Sequence, residues 1–224
     1  MAHRLLYDLI GDLTRAVDLP DPVVEFGSLQ VEEEQPNDLR PHFAGRDFTG
    51  TDFREGPGVD RVEDLRALTY KDGEVGTALC LETLEHCEDP FTASRELHRV
   101  LKPGGICVLS SVMLFGIHGY PNDYWRFTPE GIRVLLGQFD DVDVAGVGEP
   151  KSPVFVFGLG AKDRELGIEL DSLPSLVAAQ EAHEKAIGKV RLGPMRYSLR
   201  ELGRDAGKQL PRIVRERIAA RRSS

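Results

Sequence analysis

The sequence predicts an α/β fold: a mostly parallel seven-stranded sheet that ends in an antiparallel hairpin, with helices on both faces and a helical extension at the C-terminal end. Three observations carry this. Short apolar runs rich in β-branched residues alternate with stretches of helical periodicity, which implies parallel strands joined by right-handed crossovers. The last two runs, Val142 to Val147 and Val154 to Leu159, are separated by a turn containing Pro150 with no room for a helix, so they must pair antiparallel. From about Lys162 no strand pattern remains. Leu199, Leu202, Ala206, Leu210, Ile213 and Ile218 suggest basic amphipathic helices interrupted at Pro211. The chain is accordingly divided into a core, 1–161, and a basic, mostly helical extension, 162–224.

Leu5, Leu6, Leu9, Ile10, Leu13 and Val17 recur at helical spacing and form a first amphipathic helix closed by Pro20. Val23-Val24-Glu25-Phe26 is a short apolar run ending at Gly27, a buried strand entering a tight turn. A polar stretch with Glu32, Glu33 and Glu34 leads to a brief helix around 38–43. Phe48 to Asp52 is the second strand, followed by the turn Gly56-Pro57-Gly58; Val59 to Val62 is the third and Val75 to Leu81 the fourth. Asp89 then caps a helix with Pro90 at its first position, an apolar stripe of Phe91, Ser94, Leu97, Val100 and Leu101, and a stop at Pro103-Gly104-Gly105. Ile106 to Leu109 is the fifth strand, and Thr128-Pro129 opens a helix through Ile132, Leu135 and Leu136. No internal repeat is found.

A net charge of −9 over 224 residues hides an asymmetry. From Lys189 onward eleven Lys/Arg face three acids, a net of +8, whereas the preceding 188 residues carry 17 bases and 34 acids, a net of −17. The acidic body is a poor nucleic-acid binder, so no specific nucleic acid is expected. The basic tail is either a solvated helical surface or a contact for an anionic membrane or a partner protein. Asp8 and Asp12 inside the first apolar stretch argue against a signal peptide, and no run approaches a membrane span. Cys80, Cys87 and Cys107 are odd in number without CxxC spacing. They read as thiols of a reducing cytoplasm rather than metal ligands, and no metal is expected.

Two segments carry a resemblance. Leu79-Cys80-Leu81-Glu82-Thr83-Leu84-Glu85-His86 is followed by Arg99-Val100-Leu101-Lys102-Pro103-Gly104-Gly105. With the strands around them, over roughly Val23 to Leu136, they resemble the type 11 methyltransferases, a Rossmann-like class I group that uses S-adenosylmethionine. Asp123-Tyr124-Trp125-Arg126-Phe127 is similar to a subgroup often seen among sugar- and cell-envelope-related methyltransferases.

The resemblance implies a set of cofactor residues. Glu25 and Gly27 match the Glu-x-Gly of the family's first motif, with Ser28 beside them; a Cβ at Gly27 would occupy cofactor space. Asp52, with Phe53 next to it, would accept hydrogen bonds from the ribose hydroxyls. Asp64 would receive the adenine amino group, with Leu65 offering its amide. Leu81 and Glu82 would floor the methionine moiety. The chain departs from the family at Leu29 and Val31, where further glycines are usual. Because S-adenosylmethionine has no pyrophosphate to cradle, that loss counts against a dinucleotide more than against a methyl donor.

Methyl transfer from a sulfonium is an in-line displacement, and a base is needed only for a protic acceptor. His86, His118 and Asp123 are the candidates, histidine because its pKa lies near neutrality. His86 could equally be a helix-start residue packed on the sheet edge. Tyr124 and Trp125 either wall the acceptor pocket or anchor a loop. The expected activity is O-methylation (or C-methylation) of a small-molecule or glycan-linked acceptor. The alternatives are a catalytically silent scaffold with the same fold and a nicotinamide-dependent oxidoreductase; missing glycines and the closing hairpin disfavour the latter.

Overall fold

Val23–Phe26 (β1) is buried along its whole length, as a strand covered on both faces must be, and it pairs parallel with Phe48–Asp52 (β2) and Val75–Leu81 (β4). The structure is a computed structural model describing residues 2–30, 38–118, 122–187, 189–192 and 195–198. Arg61–Val62 (β3) extends one edge beyond β2, and Leu101–Val112 (β5) lies parallel to β4. Asp141–Glu149 (β6) and Ser152–Ala161 (β7) form the antiparallel hairpin. The return strand β7, not β6, joins the sheet against β5, giving the order β3-β2-β1-β4-β5-β7-β6.

Helices cover both faces, unevenly. Ala2–Ala16 (α1) buries Leu6, Leu9, Ile10 and Leu13 on one face, together with Phe43, Phe157 and Leu159. Pro90–Val100 (α2) and Pro129–Leu135 (α3) cover the other, burying Ala93, Leu97, Val100, Ile132 and Leu135. Asp89 caps α2 by accepting the Thr92 amide at 3.0 Å, and Thr128 caps α3 through Gly131 at 3.0 Å. Gly158 and Gly160 on β7 let α3 and the turn after it approach. A Cβ on Gly158 would meet Ile132 at 2.5 Å, and one on Gly160 would meet Phe139 at 2.8 Å.

Several expectations need correction. The helix around 38–43 is a single 3-10 turn, Arg40–Phe43, and no helix is present among the described residues between β2 and β4. The third strand shrinks to two residues because Val59 closes a turn onto Gly56 and Asp60 bonds back to Gly50. Phe91 does not join the buried stripe of α2 but stands 46% exposed. Leu101 begins β5 rather than ending α2.

The chain divides between residues 179 and 180 rather than at 161/162. Leu166, Leu170, Leu173 and Leu176 are buried in the same cluster as α1, and the Ser175 amide donates to Asp12 at 2.7 Å. Pro174–Ile187 (α4) is helical as expected. The second unit, from Gln180, contains an antiparallel pair where only helix was expected, Lys189–Leu192 (β8) with Met195–Ser198 (β9). Val31, the Glu32-Glu33-Glu34 run and the helices proposed beyond Ser198 lie outside the described residues. Among the described residues no helix is long and apolar enough to cross a membrane.

Candidate active site

Ligands of open α/β sheets bind beyond the C-terminal ends of the parallel strands. Phe26 pairs with Thr51 and with Cys80, so Gly27 lies level with Asp52 and Leu81, and Glu82 one step further out. Gly27 takes φ +90°, a left-handed conformation. A Cβ there would meet the Thr83 hydroxyl at 2.1 Å, so it is Thr83, and not cofactor space, that demands glycine. The Gly27 and Ser28 amides both donate to the Thr51 carbonyl, at 2.7 and 2.9 Å, and the Ser28 hydroxyl donates to Gly58 at 2.9 Å. Glu25 is buried, and desolvation pushes its pKa up to about 8, partly offset by the Arg40 guanidinium.

Asp52 is buried at the end of β2; its Oδ1 accepts from the Arg54 amide at 3.0 Å. Phe53 beside it is 52% exposed, with the Arg54 guanidinium 4.9 Å from its ring centre. Asp64 is differently placed. Arg66 grips both its oxygens, Nε on Oδ1 at 3.0 Å and Nη2 on Oδ2 at 2.8 Å, and holds its carboxyl below the usual range. An adenine amino group would have to compete with that fork. Leu65 is half-buried against the α2 face of the core.

The ends of β4 and β5 are built otherwise. Leu81 pairs with Ser110, and the Glu82 amide donates to the Ser110 carbonyl at 3.1 Å, which holds Glu82 at φ +49°. A non-glycine residue there stores strain of the kind found at functional sites. The Ser110 hydroxyl donates to Glu82 at 3.2 Å, yet burial and the nearby Glu85 push the Glu82 pKa up to about 8. The 3-10 turn Leu84–His86 follows. Glu85 is wholly buried: Oε2 accepts the Ser111 hydroxyl at 2.9 Å, while Oε1 has no partner among the described residues. Desolvation raises its pKa to about 7.

His86 Nδ1 sits 2.7 Å from the Asn122 carbonyl. A carbonyl only accepts, so Nδ1 carries the proton and Nε2 presents a lone pair. Burial holds the His86 pKa below its ordinary value. The His118 ring stands edge-on to it, centres 5.0 Å apart. One ligating atom each of Glu85, His86 and His118 lies within 4.8 Å of the others. Leu114, Phe115 and Ile117, all exposed, precede His118 in the loop after β5. The sequence pointed to both histidines but read Glu85 only as a possible helix start; Ser111 it did not single out.

Asp123 does not serve as a base. Arg126 takes both its oxygens (Nη2 on Oδ2 at 2.6 Å), the His118 amide adds a third bond at 2.8 Å, and the pKa is driven far below the carboxylate range. Arg126 also bonds the carbonyls of Phe115, Gly116 and Trp125, at 3.2, 2.7 and 2.6 Å, and so staples the loop. Trp125 is an anchor: its indole N–H donates to the Cys87 carbonyl at 2.9 Å and its ring packs on Phe91 and Phe127. Tyr124 is bound to Glu85 by its amide at 2.8 Å and leaves its ring 46% exposed beside the histidines' loop. A second cleft, lined by Asp72, Arg95, Arg99 and Lys162 at the other end of the strands, spends its cations internally, Arg99 on Glu96 and Asp72 and Lys162 on two carbonyls.

Residues 15–109 match the family model described as a methyltransferase domain. The chain carries a class I S-adenosylmethionine-dependent methyltransferase domain. Among curated proteins it is similar to the ubiquinone biosynthesis O-methyltransferase of Pseudomonas aeruginosa, 35% identical over 147 residues, covering 59% of each chain. The chain thus spans under two thirds of the length of the curated relatives it matches. Among solved structures the methyltransferase domain is similar in fold to the 1,6-didemethyltoxoflavin-N1-methyltransferase of Burkholderia thailandensis, with a TM-score of 0.52 at 19% identity, covering 73% of this chain and 79% of that one. A methyltransferase from Archaeoglobus fulgidus gives a TM-score of 0.53 at 13% identity, covering 71% and 94%. The strand ends fit the domain's cofactor chemically. Buried carboxylates at Glu25, Asp52 and Glu82 suit a ligand with a sulfonium and an ammonium, and would repel the pyrophosphate of a dinucleotide.

Proposed function

We propose that this chain transfers the methyl group of S-adenosylmethionine to a hydroxyl oxygen of a small-molecule or glycan-linked acceptor. The observation that carries the reading is the Glu85, His86 and His118 cluster at the cofactor end of β4. When bound, S-adenosylmethionine supplies an electrophilic methyl on sulfur. Asp52 takes the ribose hydroxyls, and Glu25 and Glu82 answer the positive charge of the methionine end. Thr83, seated against Gly27, fixes the distance between the β1 turn and the β4 turn. His86 Nε2, its tautomer set by Asn122, accepts the proton of the acceptor hydroxyl. Leu114, Phe115, Ile117 and Tyr124 offer an apolar rim for the rest of the acceptor. Oxygen is favoured over carbon because two imidazoles and a buried carboxylate are acid–base equipment, which a hydroxyl needs most.

The Arg66 fork on Asp64 supports a second reading, a silent domain whose adenine subsite is closed. Thermal shift with S-adenosylmethionine, S-adenosylhomocysteine and NAD separates the two. Stabilisation by the first pair alone is expected, and no shift with any of them would overturn the enzyme in favour of the scaffold.

A further inference from the structure

We infer that Glu85, His86 and His118 form a binding site for a divalent first-row transition cation facing the acceptor. One ligating atom from each of the three lies within 4.8 Å of the others, and a cation at about 2.0–2.2 Å from its ligands needs only a small contraction of that triangle. Three further features of these residues point the same way.

Glu85 is wholly buried and its Oε1 has no partner among the described residues, although burying a carboxylate oxygen without one is costly. Ser111 occupies only Oε2, at 2.9 Å. Both histidines, in turn, are oriented through Nδ1. His86 donates to the Asn122 carbonyl at 2.7 Å, and His118 lies 3.1 Å from the Gly116 carbonyl and 3.4 Å from Asp123 Oδ2. Acceptors on Nδ1 leave Nε2 of each ring as the ligating atom, and a carboxylate or carbonyl behind a histidine is the usual support of a metal site. Finally, the donor set is two imidazoles and one carboxylate. That set selects a zinc-, iron- or manganese-type ion over magnesium or calcium, which prefer oxygen, and leaves coordination positions open.

The role of the ion rests on the methyl-transfer reading; the site itself does not. With the cation in place His86 is a ligand, and the acceptor oxygen binds an open position and releases its proton to water. That oxygen then bonds the methyl carbon as the carbon–sulfur bond breaks, the electron pair staying on sulfur.

The test is isothermal titration of untagged, chelator-stripped protein with Zn2+ and Mn2+, without methyl donor or acceptor. One equivalent is expected to bind. Glu85→Gln and His118→Ala should each weaken it at least tenfold, and Asp123→Asn, behind His118, by roughly 10-fold or more. His118→Gln, close in size, guards against a misfolded His118→Ala. No saturable binding of either ion, or binding that folded Glu85→Gln and His118→Gln leave within twofold of the parent, overturns the site. The S-adenosylmethionine thermal shift of the same stripped sample reports on the methyl-transfer reading alone, so the two failures are told apart.

Discussion

The ends of β1, β2 and β3 and the ends of β4 and β5 line the same edge of one sheet, yet they handle charge in opposite ways. On the first side the protein answers most of its own acids: Arg54 bonds Asp52, Arg66 forks Asp64, and Arg40 bonds Asp60. On the second side Glu82 and Glu85 are buried with only serine hydroxyls on their carboxylates and two histidines close by. A surface whose charges are already matched gains little from a new ligand except shape. A buried acid without a cation is held in readiness for one. The first side therefore reads as the part that binds, and the second as the part that reacts.

Kinetics gives the largest test of this division. His86→Ala should lower kcat about 10²–10⁴-fold with stabilisation by S-adenosylmethionine retained. Asp52→Asn should do the reverse, weakening cofactor binding roughly 10–100-fold with a smaller effect on kcat. Loss of cofactor binding in His86→Ala would merge the two sides into one.

Gly27→Ala comes next. Its left-handed φ and the 2.1 Å approach to Thr83 should cost on the order of 3 kcal/mol in urea unfolding. Adding Thr83→Ala should recover the steric part and leave the backbone part. If Thr83→Ala recovers nothing, the glycine answers to something other than Thr83.

Arg126→Ala should cost about 2 kcal/mol, because it strips Asp123, whose side chain is only 3% exposed, and unpins three carbonyls of the loop. A smaller effect is expected from pH. A carboxyl whose pKa is higher folded than unfolded opposes folding once it ionises. Glu25, raised to about 8, therefore favours the folded state at pH 5 and withdraws that support as pH climbs from about 4.5 to 8. Between pH 5 and 8 the Tm of the ligand-free protein should fall by roughly 3 °C more than that of Glu25→Gln. The smallest effect belongs to Arg66→Ala. An exposed pair contributes less than about 1 kcal/mol, so unfolding should barely change, while cofactor affinity rises if Asp64 is thereby freed.

The strands were legible because β1, β4 and β5 are apolar enough to be read directly, and the hairpin because Pro150 leaves no room for a helix. The division at 179/180 was not, since Leu166, Leu170, Leu173 and Leu176 show no strand or clean helical period until they are packed beneath α1. Gly27 was found for its motif, but its physical reason, Thr83, lies 56 residues away in sequence and only pairing of β1 with β4 brings them together. Glu85 looked like a helix start because a carboxylate near a turn is ordinary. What makes it unusual is complete burial, which depends on the 113–127 loop folding back over it. The histidines were singled out separately; their meeting was not legible, because 32 residues and a strand intervene.

That loop is tied to the turn after β4 by backbone rather than by side chains. The Tyr124 and Trp125 amides donate to the Glu85 carbonyl, and the Asn122 carbonyl receives His86. Backbone ties do not depend on which residues supply them, so the loop's exposed Leu114, Phe115, Ile117 and Tyr124 can be exchanged freely, provided residues 84–87 and 113–127 are transplanted together. Acceptor preference in this domain is thus a cassette of two segments, swappable as a pair and not singly.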